Sequence, residues 1–182
     1  MQPHIILING LPGTGKTTFA RWLQKETGYP LLMRDEMKEL LFDILGYSDR
    51  GWSEKLGGAC YELLFLIMDQ MMHAGSNIIV EGYFTAHRHG ERIQHLLTTH
   101  GYGMKEVLFF CDGEECYRRF EERAEKGIRH PGHVDFPVPE TTRELLMQGK
   151  AAPVGRGDEL IEVDTTEFHE DLYSKILQQL SV

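Results

Sequence analysis

Short apolar runs alternate with longer segments of helical periodicity along the chain. The runs are almost continuous in apolar residues, which is typical of strands covered on both faces, and no tight hairpin signal joins one run to the next. Five strands are therefore predicted, at His4–Asn9, Pro30–Met33, Asn77–Glu81, Lys105–Cys111 and Glu159–Asp164.

The segments between these runs place apolar residues at steps of three and four, as amphipathic helices do. The longest is Ser53–His73, with Ser53 as its expected N-cap and Gly75 as its stop. The other predicted helices are Thr17–Glu26, Arg88–Thr99, Glu114–Glu125, Glu140–Met147 and Glu167–Leu180. Because strands and helices alternate through all 182 residues, we expect one α/β domain whose parallel sheet carries helices on both faces.

One stretch interrupts the alternation. Residues 126–140, named the lid segment below, hold Gly127, Pro131, Gly132, Pro137 and Pro139, which is too much punctuation for a regular element. A segment of this kind in a compact domain is often a lid or a binding loop. A passive surface loop is the alternative, and the charged residues of the segment favour the lid.

The chain is acidic, with 19 basic and 28 acidic residues and a formal net charge of −9. A protein that covers a long phosphate backbone should be basic, so long nucleic acid is disfavoured as a partner, whereas a local basic pocket for a small anion is compatible. Three cysteines without a C-x-x-C spacing fit neither a disulfide framework nor a zinc site. The sequence shows no signal peptide and no apolar run near the roughly 20 residues of a membrane span, so we expect a soluble, cytoplasmic protein without a membrane partner.

Residues 10–17 read G-L-P-G-T-G-K-T, a complete match to the phosphate-loop pattern G-x-x-x-x-G-K-[ST]. Glycines let the backbone N–H groups face phosphate oxygens, Lys16 supplies a mobile cation, and the Thr17 hydroxyl is a ligand for Mg²⁺. A plain glycine-rich turn is the weaker alternative, because the motif follows an apolar strand and opens an amphipathic helix. The predicted nucleotide-binding residues are Gly10, Leu11, Pro12, Gly13, Thr14, Gly15, Lys16, Thr17 and Thr18.

Motifs elsewhere in the chain separate the classes of protein that share this loop. A GTPase switch should carry N-K-x-D, which is absent, and the D-x-x-G at Asp43–Gly46 falls in a helical pattern rather than after the third strand. A motor ATPase carries adjacent acidic residues at the end of a strand, whereas the third strand here ends in the single carboxylate of Glu81. These features favour a small kinase.

Polar residues after the second and third strands lie where ligands of an open α/β sheet bind. Asp35 is the candidate for orienting an acceptor hydroxyl and taking its proton, with an N-cap of the following helix as the alternative. Glu81 is a candidate Mg²⁺ ligand or else a solvated strand end. Lys38, on the same helical face as Asp35, is a candidate substrate contact or a solvated lysine, and Arg88 is a further candidate substrate contact.

Three arginines are candidates for closing over a transferring phosphoryl group. Arg119 and Arg123 are like charges four residues apart in a predicted helix, an arrangement that repels unless an anion lies against both. Arg129 follows in the lid segment. The alternative is a solvated helix held by acid–base pairs four residues apart, such as Glu115 with Arg119.

Four motifs recur in one order: G-L-P-G-T-G-K-T at Gly10–Thr17, R-D-x-x-K at Arg34–Lys38, I-I-V-E-G at Ile78–Gly82, and R-x-x-x-R with R-H-P-G-H at Arg119–His133. Together they resemble bacterial phosphate-loop kinases of the zeta-toxin, chloramphenicol-phosphotransferase and polynucleotide-kinase type, within the nucleoside-monophosphate-kinase-like group of P-loop NTPases. The resemblance covers nearly the whole chain.

This resemblance implies a five-stranded parallel sheet in the order 2-3-1-4-5 and ATP with Mg²⁺ as the phosphoryl donor. It implies that Asp35 acts on the acceptor hydroxyl and that Arg123 and Arg129 are lid arginines. Two positions depart from the family pattern: Lys38 stands where such kinases often have arginine, and Glu81 where many have aspartate.

The resulting prediction is an ATP-dependent kinase that transfers the γ-phosphoryl group to a hydroxyl of a small-molecule acceptor. A nucleoside or nucleotide kinase and a non-catalytic, ATP-binding regulatory protein are the alternatives. A polynucleotide end is disfavoured as acceptor by the net charge of −9.

Overall fold

A computed structural model describes residues 2–155, 157, 159–169 and 171–181. The strands are β1 (His4–Gly10), β2 (Leu31–Met33), β3 (Ile78–Glu81), β4 (Gly103–Phe110) and β5 (Glu159–Asp164). They form one parallel sheet in the order β2-β3-β1-β4-β5. The predicted parallel sheet is confirmed, and so is the strand order that the resemblance implies.

Helices connect the strands. They are α1 (Lys16–Thr27), α2 (Arg34–Leu45), α3 (Arg50–His73), α4 (Glu91–His100), α5 (Gly113–Glu125), α6 (Glu140–Met147) and α7 (Leu172–Leu180). A π-helical turn, Ala86–Gly90, precedes α4, and a 3₁₀ turn, Pro131–His133, lies within the lid segment. Among the described residues, no helix combines the length and the apolar character needed to cross a bilayer.

Several helix boundaries differ from the predicted ones. The sequence predicts a helix after Asp35 but does not give its bounds, because apolar residues such as Leu40, Ile44 and Leu45 are exposed and leave no clean apolar stripe on one face; the structure gives α2 as Arg34–Leu45. The N-cap of α3 is Asp49 rather than Ser53: the Asp49 carboxylate accepts the Trp52 N–H at 2.9 Å.

Two more helices begin later than predicted. Residues 86–90 form the π-helical turn, so α4 begins at Glu91 rather than at Arg88. α7 begins at Leu172 rather than at Glu167.

The strand β1 lies at the centre of the core. Its side chains point alternately to the two faces of the sheet, as the geometry of a strand requires. Ile5 and Leu7 pack in one cluster with residues of α3 and α4, whereas Ile6 and Ile8 pack in another with residues of α1 and α7. All four side chains are fully buried. Helices therefore cover both faces of the sheet, as predicted.

The carboxyl ends of the three strands on one side of the sheet meet at a common edge. Glu81, the last residue of β3, is in register with Ile8 of β1 and with Met33 of β2. The chain leaves β1 toward β2 on one side of the sheet and leaves β3 toward β4 on the other side. Where neighbouring connections run in opposite directions, a crevice opens at the carboxyl ends of the strands. The fold thus brings the residues 10–17, the start of α2 and Glu81 together.

The lid segment packs against α2 and α3. A Cβ on Gly132 would lie 2.5 Å from Cγ of Phe42 in α2, so only glycine allows this close approach. The Ser53 hydroxyl of α3 donates to the carbonyl oxygen of His133 at 3.4 Å. Apart from the 3₁₀ turn, the segment is irregular up to α6, as predicted, and its role as a lid stays a prediction.

Candidate active site

The loop between β1 and α1 depends on glycine at two positions in particular. Gly10 has φ +142°, and a Cβ there would lie 2.2 Å from the carbonyl oxygen of Phe109. Gly13 has φ +94°, and a Cβ there would lie 2.8 Å from the carbonyl oxygen of Cys116. Both the backbone conformation and the packing exclude larger residues, so the loop is held tightly against β4 and α5.

Asn9 ties this loop to the segment that follows β3. Its Oδ1 accepts the N–H groups of Gly10 at 2.8 Å and Phe84 at 2.9 Å. Its Nδ2 donates to the carbonyl oxygen of Phe84 at 3.1 Å and to the Glu106 carboxylate at 2.9 Å. The sequence analysis assigns Asn9 no role; the structure shows that it positions the loop.

Lys16 lies at the start of α1 and is almost completely buried. Its Nζ donates to the carbonyl oxygen of Leu11 at 2.8 Å. Burial lowers the pKa of Lys16, although the nearby carboxylates of Glu81 and Asp35 act in the opposite direction. A buried ammonium group that bonds a neutral carbonyl is suited to bind a phosphate oxygen.

Thr17 and Glu81 form a pair of oxygen donors beside the loop. The Thr17 hydroxyl lies 3.5 Å from Oε1 of Glu81, and Glu81 is buried. Burial raises the pKa of Glu81, partly offset by Lys16. The alternative interpretation of Glu81 as a solvated strand end is therefore wrong.

Asp35 lies in the first turn of α2 between two arginines. Its carboxylate oxygens accept hydrogen bonds from Arg34 at 2.7 Å and from Arg129 at 2.8 Å. Burial would raise the pKa of Asp35, but these two cations outweigh it and hold the pKa well below its usual range. Met33 occupies the N-cap position of α2, so the alternative interpretation of Asp35 as that N-cap is wrong.

The lid segment contributes Arg129 and the residues that hold it. Arg129 donates to Asp135 at 2.6 Å and to Nδ1 of His133 at 3.0 Å, in addition to Asp35. The His133 ring is buried and its Nε2 lies 3.0 Å from Oε1 of Glu39. Burial and the charge of Arg129 lower the pKa of His133 to about 3, so the ring is neutral near pH 7.

The other two candidate arginines have different surroundings. Arg123 lines the cleft, and its Nε is buried without a hydrogen-bond partner among the described residues. Arg119 instead donates to Glu115 at 2.6 Å and to the carbonyl oxygen of Thr165 at 2.9 Å, and it does not line the cleft. Arg123 and Arg129 therefore both line the cleft. Arg119 forms the ion pair with Glu115 that the alternative, a helix held by acid–base pairs, predicts.

Both candidate substrate contacts border the cleft. Lys38 is buried and its Nζ donates to the Ser53 hydroxyl at 2.8 Å. Burial and the neighbouring Arg34 lower the pKa of Lys38 to about 8. The interpretation of Lys38 as a solvated lysine is therefore wrong. Arg88 is exposed and lines the opposite wall, next to Tyr83.

Together these side chains enclose a cleft of about 400 Å³. The predicted site residues that line it are Pro12, Gly13, Gly15, Lys16, Thr17, Thr18, Asp35, Lys38, Glu81, Arg88, Arg123 and Arg129. Gly10, Leu11 and Thr14 belong to the same loop but do not line the cleft. The cleft is lined by seven lysine and arginine residues against four acidic ones, so a basic pocket exists in an acidic chain.

Several residues of the cleft are not predicted from the sequence. Arg34 is recognised there only as part of a motif, and Ser53, Tyr61, His133 and Asp135 are not predicted to line the cleft. The position of Arg34 directly after the second strand is the one signal that identifies a missed residue. The others come from α3 and the lid segment, and their sequence positions carry no comparable signal.

Comparisons with known proteins agree with this architecture. Residues 5–152 match the family AAA_33, described as an AAA domain. Comparison with curated proteins finds no match. The crystal structure of a candidate kinase from Chloroflexus aurantiacus J-10-fl is similar over 100% of this chain and 98% of its own, with 32% sequence identity and a TM-score of 0.93.

Two structures with lower sequence identity share the fold. A sugar kinase from Janibacter sp. HTCC2649 has 17% identity and a TM-score of 0.60, over 100% of this chain and 96% of its own. A structure from the PezAT toxin–antitoxin system of Streptococcus pneumoniae has 22% identity and a TM-score of 0.59, over 98% of this chain and 77% of its own. The finer resemblance to the zeta-toxin, chloramphenicol-phosphotransferase and polynucleotide-kinase type stays a prediction. The family match over residues 5–152, on a sheet with this strand order, shows that the chain belongs to the AAA domain family AAA_33 and has a P-loop kinase-like fold.

Proposed function

We propose that this protein is an ATP- and Mg²⁺-dependent kinase that transfers the γ-phosphoryl group to a hydroxyl of a small-molecule acceptor. The observation that carries the proposal is the meeting of Lys16, Asp35 and Arg123 in one cleft. Phosphoryl transfer to a hydroxyl requires a phosphate-binding cation, a carboxylate to orient the hydroxyl and a further cation to stabilise the transferring group. Arg123 suits the last role, because its Nε is buried with no hydrogen-bond partner among the described residues.

The phosphates of the nucleotide would be held by the loop amides, Lys16 and Arg123. Lys16 exchanges the carbonyl oxygen of Leu11 for a phosphate oxygen, which is the stronger acceptor. A phosphate oxygen would accept a hydrogen bond from Nε of Arg123, which has no partner among the described residues. Anionic oxygens also relieve the repulsion between Arg123 and Arg129, which contributes to the lowered pKa of Arg123.

Thr17 and Glu81 are the residues that would hold Mg²⁺. Their oxygens are the hard donors that this ion prefers, and their separation of 3.5 Å fits a shared cation. Bound Mg²⁺ neutralises charge on the phosphate oxygens. Burial raises the pKa of Glu81, and a bound cation would act in the opposite direction, as Lys16 does.

Asp35 would orient the acceptor hydroxyl. The acceptor oxygen forms a bond to the γ-phosphorus while the bond from that phosphorus to the β–γ bridging oxygen breaks, and ADP leaves with the electron pair. Asp35 takes the proton of the hydroxyl. The low pKa of Asp35 keeps its carboxylate ionised. A weak base is sufficient, because in a loose transition state the proton of the hydroxyl is transferred late.

Asp35→Asn tests this assignment. We expect ATP binding, measured by calorimetry, to stay within about twofold, and transfer to fall by about a hundredfold or more, because the amide cannot take the proton. Glu36→Gln, which changes an exposed neighbour paired with Arg21, serves as the matched control and should keep full activity. Full transfer by Asp35→Asn would show that Asp35 has another role.

The acceptor is identified by ATP consumption over a panel of hydroxyl compounds. The panel includes nucleosides and nucleoside monophosphates, so that the nucleoside or nucleotide kinase alternative is tested at the same time. Tight ATP binding without transfer to any compound would favour the non-catalytic alternative and contradict the proposal.

A further inference from the structure

A second cavity, of about 600 Å³, adjoins the cleft, and we name it the side cavity. It is lined by residues of α2, α3, α4 and the π-helical turn, and it shares with the cleft the side chains of Arg34, Lys38, Glu54, Tyr61 and Arg88. A volume of this size holds a small molecule. Arg34 forms part of the shared wall and bonds Asp35, so a molecule that contacts Arg34 from the side cavity is one side chain away from the carboxylate proposed to orient the acceptor.

Two consecutive glycines in the middle of α3 make room for this cavity. A Cβ on Gly57 would lie 2.4 Å from Nη2 of Arg34, so the guanidinium packs directly on the helix backbone. The same guanidinium lies 5.1 Å from the centre of the Tyr61 ring. Gly58 also lines the cavity, and a Cβ there would have no atom within 4 Å. Glycine disfavours a helix, and here its missing side chain leaves the space beside Arg34 open.

Only one of the three cations of the shared wall has a counterion among the described residues. Arg34 is paired with Asp35 through Nη1, and its Nε is buried with no hydrogen-bond partner in the described part of the chain. Lys38 donates to the Ser53 hydroxyl and forms no ion pair with a described residue, and the guanidinium of Arg88 has neither a hydrogen bond nor an ion pair there. Positive charge therefore accumulates here although the chain as a whole carries −9.

The acidic residues of the side cavity do not balance this charge. Glu62 is paired with Arg92. Glu54 has no ion pair among the described residues, and it lines the shared wall together with the three cations. An anionic group on a bound molecule would supply the missing negative charge.

His89 adds a donor without adding charge. Its Nδ1 accepts the N–H of Thr85 at 3.0 Å, and its ring stacks on Tyr61 with 4.3 Å between centroids. Burial and the neighbouring Arg88 lower the pKa of His89 to about 4, so the ring is neutral near pH 7 and carries its proton on Nε2. A neutral donor of this kind suits a hydroxyl group of a ligand.

We propose that the side cavity is the acceptor site and that the acceptor is a small hydroxylated anion, whose carboxylate or phosphate group lies against Arg34, Lys38 and Arg88. This inference rests on the proposed kinase function. The anionic group fixes the molecule in the side cavity, and a hydroxyl at its other end reaches Asp35 in the cleft.

Matched pairs of compounds test the inference. D-Glucuronate and D-glucose 6-phosphate are each compared with D-glucose, and D-glycerate is compared with glycerol, with ATP and Mg²⁺ present. We expect at least one anion to be phosphorylated with a kcat/KM about tenfold or more above that of its neutral partner. The two D-glucose derivatives distinguish a carboxylate from a phosphate group. Equal or better transfer to the neutral partners would overturn the anionic acceptor and leave the kinase function intact.

Binding is measured separately, by calorimetry with a non-hydrolysable ATP analogue and Mg²⁺ occupying the nucleotide site. An anion that binds but is never phosphorylated would support an anion-binding site in the side cavity and contradict the proposed kinase function. Neither binding nor transfer across the pairs would contradict both.

Arg88→Gln then tests the site itself. Arg88 is exposed and its guanidinium has no partner among the described residues, so this change removes a charge without leaving a described carboxylate unpaired. We expect the KM for the preferred anion to rise about tenfold, while kcat and the KM for ATP stay within about twofold. Arg118→Gln, on the exposed side of α5, is the control and should change none of these values. An unchanged KM for the anion in Arg88→Gln would show that the anionic group binds elsewhere.

Discussion

The guanidinium of Arg123 lies in the cleft with its Nε buried and without a partner among the described residues. Leaving a buried donor without a hydrogen bond costs about 1–3 kcal/mol, and more when the group is charged. Burial and the charge of Arg129 both lower the pKa of Arg123. The free protein therefore carries an unfavourable arrangement that a bound phosphate would relieve.

Arg123→Met should separate stability from activity. We expect the free energy of unfolding in urea to stay the same or to rise by up to about 1 kcal/mol, because an unsatisfied cation is replaced by an apolar chain of similar length. We expect transfer to fall by about a hundredfold, because charge on the transferring group loses a donor.

Arg118→Met is the matched control for this comparison. It removes an exposed arginine of the same helix that is paired with Glu115 and Glu122, and transfer should not change. A large loss of stability in Arg123→Met would mean that Arg123 has a structural role instead.

The sequence predicts that a residue belongs to the site where the residue lies in the phosphate-loop motif or directly after a strand. Lys16 and Thr17 follow from the loop pattern, and Asp35 and Glu81 from their places after strands. Arg119 and Arg123 have the same residue type in the same helix, yet only Arg123 lines the cleft. Spacing alone could not distinguish them, because both lie on the same face of α5 and differ in their position along the helix: Arg119 contacts the carbonyl oxygen of Thr165, whereas Arg123, one turn later, lines the cleft.

Phe42 of α2 is the platform on which the lid segment rests. Its ring stacks with His130 at 5.2 Å and meets His133 edge-on at 5.4 Å. Gly132 lies directly over the same ring. This packing places the start of the segment so that Arg129 reaches Asp35.

Gly132→Ala should disturb that docking. The added methyl group would lie 2.5 Å from Cγ of Phe42, and since this ring is fully buried in its surroundings, the lid segment has to move outward. We expect faster hydrogen exchange in residues 126–140 and a loss of transfer of about tenfold or more, because Arg129 is displaced.

The comparison for Gly132→Ala is Ile128→Ala, which removes an exposed side chain of the same segment. Ile128→Ala should leave exchange and transfer as they are. Unchanged exchange and transfer in Gly132→Ala would mean that the position of the segment does not depend on this contact.

Helix α2 and the start of α3 show why the predicted and observed helix boundaries differ. The sequence indicates a helix around Lys38 and Asp43, but exposed apolar residues such as Leu40 and Ile44 leave the bounds of α2 undefined. The cap of α3 was assigned to Ser53 because serine is a common N-cap, but Asp49 takes the role four residues earlier and frees Ser53 to bond Lys38. A residue that suits a cap also suits a buried hydrogen bond, and sequence does not separate the two uses.

The hydrogen bonds of Asn9 and Glu106 connect several parts of the domain. Asn9 joins the phosphate loop to Phe84 after β3, and it donates to Glu106 in β4. Glu106 in turn accepts the N–H of Val154, in the segment that leads to β5. Both side chains are fully buried at the centre of the sheet, so the carboxyl edge is held together by one polar cluster.

Asn9→Ala should loosen this whole edge. We expect the free energy of unfolding to fall by about 2–4 kcal/mol in urea titration, because several buried groups lose their partners at once. Gln94→Ala, which removes an exposed amide bonded only to Thr98, is the control and should cost less than about 0.5 kcal/mol. A loss in Asn9→Ala as small as that of the control would show that water replaces the missing amide.

The phosphate loop, the alternation of strands and helices and the parallel sheet follow from two requirements, which are positive φ angles at Gly10 and Gly13 and burial on both faces of the strands. Each requirement restricts the residue type at its own position, to glycine or to an apolar residue, so the pattern of residues expresses them directly. The pairing of Asp35 with Arg129, the gathering of Arg34, Lys38 and Arg88 in one wall and the different surroundings of Arg119 and Arg123 depend on distances through space. Burial and charge at those distances exist only after the helices have packed, and for that reason only the folded structure could reveal them.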